Sequence, residues 1–181
     1  MVKQIYYTNE QVNGFVHEII RQMSQDKFKP DYIVGLTRGG LDIALKLSHY
    51  LNIPMETLNV SLRDNGSPET ICWMAEDAFG YVNEEDRKQV GSRWDTMKRK
   101  NILIVDDIND TGATIAWIKQ DWQGCCLPNE PSWETVWGNN VKFAVLVDNI
   151  DSKEEVNYKG TEINKFEEPS WVIFPWEQWW K

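Results

Sequence analysis

Twice in this chain a short apolar run stops at a glycine-bearing loop and gives way to a helical pattern. The first is Asp31-Tyr-Ile-Val-Gly-Leu36, then Thr37-Arg38-Gly39-Gly40, then apolar residues at Leu41, Ala44, Leu45, Leu47 and Leu51. The second is Asn101-Ile-Leu-Ile-Val105, then Asp106-Asp107-Ile-Asn-Asp110-Thr-Gly-Ala-Thr114, then a helix to about Gln123. Apolar runs this short, bounded by turn residues, read as strands covered on both faces. Strand, loop and helix in succession require an α/β fold, a mainly parallel twisted sheet flanked by helices. In such sheets ligands lie beyond the carboxyl ends of the strands, where both loops fall.

The rest of the chain fits around this frame. A Thr8-x-x-Gln11 capping box opens a helix over residues 8–27, with Val12, Phe15, Val16, Ile19, Ile20 and Met23 at helical spacing. Residues 55–62 and 141–147 read as further strands. Residues 63–100 are polar and irregular apart from short elements near 72–81. A stretch of that length within a compact domain is commonly a lid, so residues 61–100 are the candidate lid. A polar, tryptophan-bearing segment at 124–140 and a closing segment at 165–181 complete the chain, the latter as a small C-terminal hood. The length of 181 residues suits a single domain over 1–181.

Composition excludes some partners. The net charge is −9, from 19 basic and 28 acidic residues. A phosphate-backbone binder needs a basic stripe, so no nucleic acid is expected. No run approaches the ~18 apolar residues of a spanning helix, and the opening MVKQIYYTNE lacks an apolar signal core, so no membrane partner is expected. Of the three cysteines, Cys125 and Cys126 are adjacent, where a mutual disulfide would be strained; this points to a reducing compartment and a cytoplasmic location. None has zinc-site spacing. Eight of the ten tryptophans lie at or after Trp117, which suggests an aromatic surface or pocket in the last third.

The chemistry concentrates at the two loops. Asp110 to Thr114 can offer successive N–H groups, two hydroxyls and a helix N-terminus, a cradle for a phosphate dianion. Asp106 and Asp107 put two carboxylates beside it, on opposite faces if strand geometry persists, suited to sugar hydroxyls and to Mg²⁺. Arg38 and Gly39 add a permanent cation and backbone donors for a second anion. Two anion sites with carboxylates between them suit a substrate phosphorylated at both ends.

The stretch ILIVDDINDTGAT, Ile102 to Thr114, resembles the phosphoribosyl pyrophosphate (PRPP) motif of type I phosphoribosyltransferases, and IVGLTRGGL, Ile33 to Leu41, is similar to their pyrophosphate loop. Trp171-Val-Ile-Phe-Pro-Trp-Glu177 is similar to the base-binding end of the xanthine-guanine (purine) type. The resemblance implies transfer of the 5-phosphoribosyl group from PRPP to a nucleobase, a purine above all, in nucleotide salvage, with Mg²⁺ as cofactor. Asp106 and Asp107 would bind the ribose hydroxyls, partly through Mg²⁺. Thr111, Gly112, Ala113 and Thr114 would hold the 5′-phosphate, and Arg38 and Gly39 the pyrophosphate. Asp110 would manage the proton at the purine N7, and Arg38 would neutralise the departing pyrophosphate. Trp171 would stack on the base, with Val172, Ile173 and Glu177 beside it. The Thr37–Arg38 peptide is where a non-proline cis bond is expected. A homo-oligomer, dimer or tetramer, is part of the same expectation.

The chain also departs from that pattern. Where the purine enzymes end a strand with a Lys that reads the 6-oxo group, this strand ends Val147-Asp148-Asn149. A carboxylate accepts where an ammonium donates, so Asp148 could favour an amino-bearing base, or Lys153 could reach in. The Ser-Tyr pair of the family's lid is absent after Ser61, and residues 124–140 match nothing in it. A non-catalytic PRPP or nucleotide-binding regulator on the same fold is therefore the alternative.

Overall fold

The apolar run at residues 102–105 becomes the middle of a five-stranded sheet in the computed structural model, which describes residues 2–60 and 68–177. In chain order the elements are β1 (Lys3–Tyr6), α1 (Asn9–Gln25), β2 (Tyr32–Thr37), α2 (Leu41–Leu51), β3 (Met55–Asn59), α3 (Cys72–Phe79) and α4 (Arg87–Val90). Then follow β4 (Ile102–Asn109), α5 (Ala113–Cys125), β5 (Val141–Asn149), β6 (Tyr158–Ile163) and β7 (Ser170–Ile173), with short 3₁₀ turns between some of them. The main sheet has the order β3-β2-β4-β5-β6 with every ladder parallel. Helices flank it, as the alternation of strand and helix requires.

The period of two along β4 sorts its side chains between two cores. Ile102 and Ile104 join Met74 and Phe79 of α3 and Ile118 and Trp122 of α5. Leu103 and Val105 join Val12, Val16 and Ile19 of α1 and Ile43 and Leu47 of α2. A strand buried on both faces has no room for polar residues, which is why this one reads as a continuous apolar run. At the start of α1 the capping box is formed: Gln11 N donates to Thr8 Oγ1 at 3.2 Å and Thr8 N to Gln11 Oε1 at 2.9 Å.

β1 and β7 pair in parallel as a separate two-stranded sheet, Lys3 opposite Ser170 and Tyr6 opposite Ile173. This is the hood, and it joins the first strand of the chain to its last. Among the described residues no helix is long and apolar enough to cross a membrane.

Two expectations need correction, and one segment without a reading finds its place. Residues 61–67 of the candidate lid lie outside the described residues, as do 61 and 62 of the strand expected over 55–62. The remainder of 61–100 is not a polar excursion, because Met74, Ala75, Ala78 and Phe79 are fully buried in the core. Two of these are alanines, whose small side chains give little amphipathic signal. The segment at 124–140 is likewise structural: Trp133 is buried, donates Nε1–H to the Cys126 carbonyl at 2.8 Å, and stacks on Trp137 at 5.5 Å. Finally, Cys72 is disulfide-bonded to Cys125, with Cα atoms 5.5 Å apart, while Cys126 is a buried free thiol. The adjacent pair is thus not the relevant pair, and cysteine usage does not argue for a reducing compartment.

Candidate active site

A cavity of about 330 Å³ opens at the carboxyl end of β4. Asp106, Asp107, Asp110, Thr111, Gly112, Ala113 and Thr114 all line it. Gly112 caps α5 with φ +83°, a left-handed conformation that costs other residues about 1–2 kcal/mol. There it starts α5 at the cavity wall, where the first N–H groups of the helix have no partners within it. The dipole of a 13-residue helix adds partial positive charge at the same place. Ala113 N also donates to Thr111 Oγ1 at 3.3 Å.

The acidic pair lies within β4, whose strand geometry continues to Asn109. Asp107 N donates to Asp106 Oδ1 at 2.9 Å, and the Asp107 carboxylate packs against the Gly39 Cα so closely that a Cβ there would overlap it. The two glycine loops therefore meet at Asp107. The Thr37–Arg38 peptide within the first of them is cis, as expected. Thr37 lines the cavity, whereas Arg38 stands exposed and neither it nor Gly39 is part of the wall.

The hood supplies another part of the wall. Trp171, 46% exposed, lines the cavity with Val172, Phe174 and Glu177. Glu177 Oε2 accepts from Phe174 N at 3.0 Å, closing the turn after β7. Ile173 is not part of the wall: its side chain is fully buried, and its carbonyl accepts from Tyr7 N at 3.1 Å. Asp148 does not line the cavity either. It is 6% exposed and bonds to Asn109 and Lys159.

Sequence reasoning missed Lys165. It follows β6, lines the cavity, and places Nζ 2.9 Å from Asp110 Oδ2. Among the described residues that line the cavity it is the one basic side chain. Only the register of β6 beside β5 brings it there, and β6 itself carried no strand signal.

Asp106 and Asp107 are hard oxygen donors of the kind that hold Mg²⁺. Among the described residues no three His, Cys, Asp or Glu side chains group as a metal cage. The pair fits a cation that keeps water and takes substrate oxygens for the rest of its shell.

The chain is similar to known proteins over nearly its whole length. The hypoxanthine-guanine phosphoribosyltransferase of Schizosaccharomyces pombe is 23% identical over 203 residues, covering 96% of this chain and 89% of that protein. The structure of a purine phosphoribosyltransferase from Pyrococcus horikoshii matches with a TM-score of 0.63 at 24% identity, over 97% of this chain and 95% of the other. That of the Helicobacter pylori xanthine-guanine-hypoxanthine phosphoribosyltransferase matches with a TM-score of 0.60 at 17% identity, over 97% and 94%. At these identities the structural matches speak for the fold. The sequence model of the phosphoribosyl transferase domain matches residues 2–180, and the chain belongs to that family.

Proposed function

We propose that this protein transfers the 5-phosphoribosyl group from PRPP to a purine base, releasing pyrophosphate and a nucleoside monophosphate. One observation carries the reading: a carboxylate pair, a helix N-terminus built for an anion, and a half-exposed Trp line one cavity. Similarity to purine phosphoribosyltransferases supports the choice of base.

In this reading Thr111 to Thr114 bind the 5′-phosphate through the N–H groups and hydroxyls of the α5 start. Asp106 and Asp107 accept from the ribose hydroxyls and would hold Mg²⁺. When bound, the ion neutralises charge on the departing pyrophosphate. Arg38 and Gly39 hold that pyrophosphate from the adjoining loop. Displacement at the anomeric carbon passes through an oxocarbenium-like state, so the barrier falls when charge on the leaving group is neutralised before the base bonds. Trp171 stacks on the base, Asp110 takes the proton at N7, and Lys165 donates to an exocyclic oxygen. An oxo-bearing purine is favoured accordingly. PRPP is highly charged and does not cross membranes unaided, in keeping with a cytoplasmic protein; a homo-oligomer, dimer or tetramer, belongs to the same reading.

The test is a panel of nucleobases with PRPP and Mg²⁺, reading pyrophosphate release. Turnover with a purine, lost in Asp107→Asn, is the expected result. Tight PRPP binding without turnover on any base would instead make this a regulator.

A further inference from the structure

The last-but-one residue of β5 is a buried carboxylate that the chemistry above leaves unused. Asp148 stands opposite Asn109 in the β4–β5 ladder. Its Oδ1 accepts from Asn109 Nδ2 at 2.9 Å and its Oδ2 from Lys159 Nζ at 2.9 Å. Asn109, 3% exposed, uses its amide fully: Nδ2 also donates to the Glu154 carbonyl at 2.7 Å, and Oδ1 accepts from Ser152 Oγ at 2.9 Å.

The same connection between β5 and β6 grips the loop that follows Asn109. Asn149 Nδ2 donates to the Asp110 carbonyl at 2.8 Å, and Lys153 N to the Thr111 carbonyl at 3.4 Å. Gly112 packs on Glu154 so tightly that a Cβ there would lie 2.8 Å from the Glu154 nitrogen. Glu154 is in turn fixed to α5 by Lys119 at 2.5 Å.

Strand pairing does not need this network, because the ladder already joins β4 to β5. Nor is a buried ion pair an efficient stabiliser, since apolar residues of similar volume often do as well. A polar network with every member satisfied does hold neighbouring backbone in one geometry. We infer that Asp148 and Asn109 are positioning residues, which hold the phosphate cradle of residues 110–114 in its binding shape: Asp148 lies behind the cavity wall, and Asn109, though part of that wall, has its amide committed to Asp148, Glu154 and Ser152. The inference rests on reading that loop as the 5′-phosphate site.

The experiment compares Asn109→Leu, Asp148→Leu and Asp148→Asn with the unaltered protein by steady-state kinetics and thermal melting. A displaced cradle raises KM for PRPP by about tenfold in the two Leu variants while kcat and the KM for the base stay within about twofold. Asp148→Asn keeps an acceptor for Asn109 and recovers most of the PRPP affinity. Should Asp148→Leu fail to fold, Asn109→Leu and Ser152→Ala, which leave the Lys159–Asp148 pair intact, carry the same expectation. Unchanged KM for PRPP in the folded variants overturns the inference, as does a uniform loss of all parameters in step with melting. An unaltered protein that neither turns over nor binds PRPP overturns the reading of the cradle itself, and the brace with it.

Discussion

Lys165 and Asp110 face each other across the cavity, 2.9 Å apart, one from the loop after β6 and the other from the loop after β4. Asn149 brackets the pair, donating to the Asp110 carbonyl at 2.8 Å and accepting from Lys165 N at 3.1 Å. An ammonium fixed there is a donor for an oxo group and has nothing to offer an exocyclic amine. Lys165→Met should therefore lower kcat/KM for an oxo-purine by about 10- to 100-fold, the equivalent of about 1.5–3 kcal/mol for a hydrogen bond to a charged group. Adenine turnover should change far less. Equal losses on both bases would remove Lys165 from base selection.

Trp171 lines the cavity from the hood. Trp171→Ala should raise KM for the base by about tenfold or more, with PRPP affinity nearly unchanged, since base–aromatic stacking contributes about 1–3 kcal/mol. Base titrations at saturating PRPP measure the first, and PRPP calorimetry the second. The reverse pattern would remove Trp171 from the base site.

Gly39 matters for what it lacks. Its Cα touches the Asp107 carboxylate, so the Cβ of Gly39→Ala must push that carboxylate aside. Loss of PRPP turnover by about 100-fold is expected from a misplacement of this kind, with melting little altered. Normal kinetics in Gly39→Ala would show that the Asp107 position is not critical.

The cysteines make a separate prediction. The unreduced, denatured protein should titrate one thiol and the reduced protein three, because Cys72 is bonded to Cys125. Closing a loop across 53 positions stabilises by up to about 4 kcal/mol through the unfolded chain, so Cys72→Ser should melt several degrees lower. Burial pushes the Cys126 thiol up to about 11, leaving about one molecule in a thousand as thiolate at pH 8. Alkylation of Cys126 should be slow until the protein unfolds. Three thiols in the unreduced protein would rule the bridge out.

Lys159 links stability to alkaline pH. Burial lowers its pKa, but hydrogen bonds to Asp148 and Glu162, with their charges, outweigh this and raise it above 10.5. The folded chain then holds this proton more tightly than the unfolded chain. The contribution is whole below the ordinary lysine value of 10.5 and is lost as pH climbs through the raised one. The melting difference between the unaltered protein and Lys159→Met should thus hold steady from neutral pH toward 10.5 and narrow progressively above it. A difference that grows with pH would contradict the pairing.

Much of the cradle side was legible in the chain itself. β2 and β4 are buried on both faces, so their apolar runs stand out, and the residues after each run must lie at a strand end. The hood was legible only at Trp171 to Glu177. β1, four residues and mostly exposed, and β6, an edge strand of Tyr-Lys-Gly-Thr-Glu-Ile, lack the alternation that marks a half-buried strand. Without β6 nothing located Lys165, and nothing revealed that Lys159 reaches Asp148. The direction of the Asp148 side chain is a property of register and strand parity, which no local composition encodes.

The pairing of β1 with β7 has a consequence for the order of synthesis. Residues 32–114, which carry both glycine loops, leave the ribosome well before β7, while residues 3–6 must wait for residues 170–173 to find their partner. Contacts so distant in sequence close late, because the loop entropy must be met before they stabilise anything. A nascent chain can thus assemble the two loops of its cavity while still lacking the hood that completes the wall.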